Sequence, residues 1–334
     1  MSPAPAPQKQ DVIVNDTEFL SAHWLAEGFP ARLSSLVKDW REQAREGHRD
    51  PLHALGSLSS DYLRELRSAT DSTTSTLSAG SMSSADEAPL LTSAHRSLAH
   101  ALGLAPNENT THEGAVVETL QGSRPLTLPV IAARGLETSL DLVVLDAVGV
   151  DAVDLLLDGK VNKPGSGSLA QPMQLTNAQG REELVWSVAR AVSEILASQA
   201  SPHYVLVFAG RWVLLTDAAR WSEGRYLALD LVTAMERREL TNSGGLARIA
   251  GLISAAVLLP DDAGENVMDK LTAESTTHAV GVSEELRVGL RRSIEIIAND
   301  VVRGLDGEEL TDPDLPSQLA TQSLRFLYRL LFLL

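Results

Sequence analysis

A chain of 334 residues has room for two or three domains, and its 44% hydrophobic and 22% charged content excludes a fibre or a wholly disordered polymer. Cysteine is absent, which excludes disulfides and thiolate metal sites and agrees with a reducing compartment. The net charge of -16, with only Lys9, Lys38, Lys160, Lys163 and Lys270 as lysines, excludes a broad basic face for gripping a phosphate backbone.

The first ten residues, MSPAPAPQKQ, contain no apolar stretch of the kind a secretory signal needs. They predict a disordered tail over 1–16 and a cytoplasmic protein. Asp16 or Thr17 then offers an N-cap, followed by Phe19, Leu20, Trp24 and Leu25 at helical spacing. A second helix is expected after Pro30, with Leu33, Leu36, Val37 and Trp40 on one face, and a third around Tyr62, Leu63 and Leu66. Residues 17–67 therefore read as an N-terminal helical segment. Over 68–92 the chain turns to Ser, Thr, Ala and Gly, too poor in large apolar groups to offset its ordering entropy, so a flexible linker is expected there.

A helix resumes at Ser93–Leu104, and then the periodicity changes. GAVVETL, RPLTLPVIAAR and LDLVVLDAV are short β-branched or Leu-rich runs divided by Gly and Ser, the signature of neighbouring strands. Lys160–Pro172 reads as loop. REELVWSVARAVSEILAS reads as a helix with Leu184, Val185, Val188, Val192, Ile195 and Leu196 inward. HYVLVF and RWVLLTD, joined through Ala209-Gly210, read as a β-hairpin with glycine where positive φ is wanted. After Tyr226 helices are expected at Leu227–Arg238, Gly245–Leu259, Glu265–Val280, Ser283–Val302 and Pro316–Leu334. The fold class is α/β, in the α+β sense: a small mixed sheet over 93–224 with flanking helices, preceded by short helices and followed by a helical region over 225–334.

The last stretch, LRFLYRLLFLL, carries only Arg325 and Arg329 as polar breaks, so a helix there is expected to be buried on most sides. It ends without Gly, Asn or Pro, which predicts an element continued beyond Leu334. Eleven residues fall short of the roughly 20 that span a bilayer, so no membrane partner is expected.

For chemistry, the carboxylates Glu137, Asp141, Asp146, Asp151, Asp154 and Asp158 follow one another without an intervening basic residue. A metal-dependent nuclease places an acid on one strand and a second acid two residues before a lysine on the next. Two carboxylates then hold Mg²⁺ while the lysine steadies the attacked phosphate. Asp141 and Asp146 are the metal-ligand candidates, but Val148 stands where lysine is wanted, and acids so spaced more often form a solvated face. Mg²⁺ is thus expected only if such a site is live. His95 and His100 lie five apart, the wrong spacing for two ligands on one helical face, and no Walker A, H-E-x-x-H or G-x-S-x-G motif occurs.

Four strings together carry a resemblance: EFLSAHWLAEGFPARLSSLVKDW, YVLVFAGRWVLLTDAARWSEGRYLALDL, HAVGVSEELRVGLRRSIEIIANDVV and LRFLYRLLFLL. The chain resembles the N-terminal region of adenine-specific DNA methyltransferases of the type IIG kind and their relatives in BREX and DISARM phage defence. That resemblance implies a degenerate PD-(D/E)XK-like domain over 93–224, and over 225–334 a connector toward a methyltransferase domain outside the chain. It also implies S-adenosylmethionine as the cofactor of the full-length family, with DNA and other defence-system subunits as partners. The family's F-x-G-x-G loop and catalytic N-P-P-[YF] are both missing from the 334 residues, so no catalytic residue carries over. The alternative is a catalytically silent interaction module of a multi-subunit defence complex.

Overall fold

The computed structural model describes residues 12–15, 17–79, 88–105, 115–136, 139–176, 180–261, 263–305 and 313–331. In chain order the elements are β1 (Ile13–Val14), α1 (Ala22–Arg45), α2 (Pro51–Ala79), α3 (Ala88–Ala101), β2 (Ala115–Gln121), β3 (Arg124–Val130), β4 (Ala132–Leu136) and β5 (Ser139–Asp146). A 3-10 turn (Val153–Leu156) leads to β6 (Ser168–Thr176), β7 (Glu182–Ser187), α4 (Val188–Leu196), β8 (Tyr204–Ala209), β9 (Trp212–Thr216), α5 (Ala218–Ser222) and β10 (Leu227–Asp230). The rest is helical: α6 (Leu231–Arg237), α7 (Gly245–Ile253), α8 (Ala255–Leu258), α9 (Val267–Arg303) and α10 (Leu315–Leu331). The fold is α/β, and the chain divides into two units at Ala273/Glu274.

The first unit is layered around a six-stranded sheet in the order β1-β10-β9-β8-β5-β4, in which only β5 and β8 run parallel. On one face Leu142, Val144, Leu206, Phe208, Val213 and Leu215 pack with α1, α2, α3 and α7. On the other, Val143, Leu145, Val205, Val207 and Leu214 meet α4 and a four-stranded antiparallel sheet, β2-β3-β6-β7. Every residue of β8 is buried, because a central strand covered on both faces has no side for polar residues. The β8–β9 hairpin forms as expected, with Gly210 at φ 64°.

Several expectations are corrected by tertiary packing. The helix breaker Pro30 lies inside α1, which runs unbroken: Trp24, Leu25 and Phe29 before it and Leu33, Leu36, Val37 and Trp40 after it share one buried stripe. Burying that stripe outweighs the single backbone bond a proline removes. The helix starts at Ala22 with Ser21 as N-cap, not at Thr17, while Asp16 lies outside the described residues. Ile13–Val14, expected in the tail, pair antiparallel with β10, itself expected to be helical. Leu227–Asp230 is a four-residue apolar run whose period is ambiguous, and the open edge of β9 decides it as strand. Glu182–Ser187, expected as the first turns of a helix, is strand β7; Leu184 is exposed, and α4 starts only where Ser187 Oγ accepts from Arg190 N–H. Strand β6 begins at Ser168, inside the expected loop. The linker expected over 68–92 overlaps α2 through Ala79 and α3 from Ala88, and 80–87 lie outside the described residues.

The second unit, Glu274–Leu334, holds the greater part of α9 and all of α10. The two helices expected at Glu265–Val280 and Ser283–Val302 are one continuous α9. The last helix is not buried on most sides: Leu324, Phe326, Tyr328 and Leu330 are exposed, as are Val288, Leu290, Ile296 and Val301 of α9. Among the described residues no helix is long and apolar enough to cross a membrane.

Candidate functional site

Strand β5 carries both candidate carboxylates, one toward each end. Asp146 lies five positions after Asp141, so at about 3.3 Å per residue their Cα atoms lie on the order of 15 Å apart. Two carboxylates that share one Mg²⁺ each bind it at about 2.1 Å, so this pair cannot form one metal centre. The expected Asp141/Asp146 site is therefore not assembled. Among the described residues the only three-residue cluster with metal-ligand spacing uses neither aspartate.

At the Asp146 end the carboxylate is enclosed. His95, fully buried on α3, places Nδ1 2.6 Å from Asp146 Oδ1, and Thr92 Oγ1 donates to Oδ2 at 2.5 Å. The backbone N–H of Gly210 donates to His95 Nε2 at 2.9 Å, so Nε2 supplies a lone pair and the ring proton sits on Nδ1, facing Asp146. Tyr62 Oη on α2 donates to the Gly210 carbonyl at 2.7 Å. Burial, reinforced by the Asp146 and Glu65 charges, pushes the Tyr62 phenol up and keeps it a donor. The chain Thr92–Asp146–His95–Gly210–Tyr62 thus ties α2 and α3 to the end of β5 and the tip of the β8–β9 hairpin. Both imidazole nitrogens are engaged, so His95 has none left to act as a general base. This is a structural latch.

The latch was partly legible. His95 falls with Leu91, Leu98 and Leu102 on one helical stripe, and all four are buried. A histidine on such a stripe needs a buried partner, a signal that a search for ligand pairs on the same helix overlooks.

At the other end Asp141 lines a cleft of about 610 Å³ with His203, Asp217, Arg220, Asn266 and Asp269. Most of these groups already bond one another. Asp217 caps α5, accepting from Arg220 N–H at 2.8 Å, and pairs with the Arg220 guanidinium. Asp269 accepts from Tyr204 Oη at 2.5 Å and from Asn266 Nδ2 at 2.8 Å, and His203 Nε2 lies 3.1 Å from its Oδ1. Burial works against ionisation of Asp269, but the bonds from Tyr204, His203 and Asn266 prevail and hold its carboxyl below the usual range. Burial first, and then the Asp269 bond and charge, push the Tyr204 phenol up. Asp141 has no polar partner among the described residues, and no lysine lines the cleft to steady a phosphate. Lys160 and Lys163 lie on the exposed loop before β6, away from this lining. No protein-family model, curated protein or solved structure matches the chain.

Proposed function

We propose that the chain is a catalytically silent module of an adenine-specific DNA methyltransferase system acting in restriction or phage defence in the cytoplasm. Its mixed sheet would be a nuclease-like domain without nuclease chemistry. The methyl-transfer site, with its S-adenosylmethionine loop and N-P-P-[YF] motif, would belong to a domain or subunit outside residues 1–334. The observation that carries the silent part is the engagement of Asp146 by His95 and Thr92, with Asp141 far along the strand and no lysine beside either. The methyltransferase part rests on the four resembling strings. With a charge of -16, most of the grip on DNA would come from elsewhere in the assembly.

Incubating the chain with plasmid DNA and Mg²⁺ or Mn²⁺ tests the silent part, and intact plasmid is the expected result. Cleavage that vanishes in Asp141→Asn would overturn it. The methyltransferase part is tested at the locus: a reading frame there with N-P-P-[YF] supports it, and a locus with no methyltransferase sinks it.

A further inference from the structure

The α2–α3 surface holds a cationic pocket. Arg49, two residues before α2, donates from Nη1 to the His100 carbonyl near the end of α3, and its guanidinium lies along the His100 ring with two N···N separations of 3.3 Å. Arg96 sits one turn before His100 on α3, and all three side chains line an open cleft of about 500 Å³. No carboxylate lines it. The nearest acid in sequence, Asp50, uses Oδ1 to cap α2, accepting from Leu52 N–H at 2.9 Å and His53 N–H at 3.2 Å.

Arg190, Arg211, Arg220, Arg225 and Arg291 each reach a carboxylate, whereas neither Arg49 nor Arg96 has one among the described residues. Two guanidinium groups gathered without a counter-charge repel, and an anion between them would relieve that repulsion. A planar guanidinium matches phosphate oxygens two at a time. The cleft is far larger than a phosphate and falls in the size range of small-molecule pockets. Besides Ser97, its remaining wall, Ala54, Leu58 and Ala101, is apolar and suits a ring.

We propose that this pocket binds a nucleoside monophosphate unit, with the phosphate on Arg96 and Arg49 and the base against Leu58, Ala54 and Ala101. The unit has two sources, a free nucleotide or the 5′-phosphorylated end of a nucleic-acid strand. Calorimetric titration of the full chain with AMP, adenosine and inorganic phosphate tests it. AMP is expected to bind, with adenosine and phosphate each at least about tenfold weaker, because each loses one half of the contact. Arg96→Gln, an exposed change, should weaken AMP by about tenfold or more while leaving the thermal midpoint unmoved, and Arg96→Lys should recover only part of the loss. A 5′-phosphorylated tetranucleotide compared with AMP separates the sources: tighter binding identifies a strand end, and weaker binding a free nucleotide. AMP binding that survives Arg96→Gln unchanged, equal binding of adenosine and AMP, or no binding of AMP at millimolar concentration would each overturn the proposal.

Discussion

The two ends of β5 present the same residue type in opposite circumstances. Asp146 is mostly buried and takes hydrogen bonds on both oxygens, while Asp141 faces an open cleft with no polar partner among the described residues. A buried carboxylate must be satisfied by fixed donors, and once His95 and Thr92 supply them it has become part of the scaffold. Asp141, also part-buried but open to the cleft, is left to water and adds little to the fold. Fixed donors, not residue type, therefore separate a structural acid from one available for chemistry on this strand.

The sharpest way to break the comparison is to remove the latch. His95→Ala leaves the Gly210 N–H buried without an acceptor and Asp146 with Thr92 alone, and should cost about 3 to 5 kcal/mol. Urea unfolding measures it, and a loss under about 1 kcal/mol would mean the network is not needed. Tyr62→Phe strips one donor from the same network and should cost about 1 to 2 kcal/mol by the same method.

The cleft end should respond less. Tyr204→Phe removes the 2.5 Å bond to half-exposed Asp269 and should cost about 1 kcal/mol. Because the Asp269 carboxyl is held below its unfolded value of about 3.9, its contribution is present above that pH and is lost as pH falls through the lower folded value. Urea midpoints measured from pH 6 downward should therefore drop less steeply in Asp269→Asn than in the parent chain. Asp141→Asn should change stability by no more than about 0.5 kcal/mol, the smallest effect of the set. A large loss there would reveal a partner for Asp141 and dissolve the contrast between the two ends.

The sequence alone determined the elements whose patterns are long or chemically distinctive. The apolar stripe on either side of Pro30, the helical turns around Tyr62, the helix from Ser93, the Gly-turned β8–β9 hairpin and the α/β class were legible, because helical and two-residue periodicities leave different marks, although the extents of α1 and α2 were not. The absence of a lysine two residues after Asp146 was also readable, and it bears directly on whether Asp146 could belong to a nuclease site. Only tertiary structure decided short or ambiguous runs: Leu227–Asp230 is a strand because β9 offers an unpaired edge, Ile13–Val14 is one because β10 then offers the next, and Pro30 is tolerated because a continuous stripe is buried on both sides of it. The site was decided in the same way. That His95 on α3 reaches Asp146 on β5, fifty-one residues away, depends on how the helical layer lies across the sheet, and local spacing carries no record of that distance.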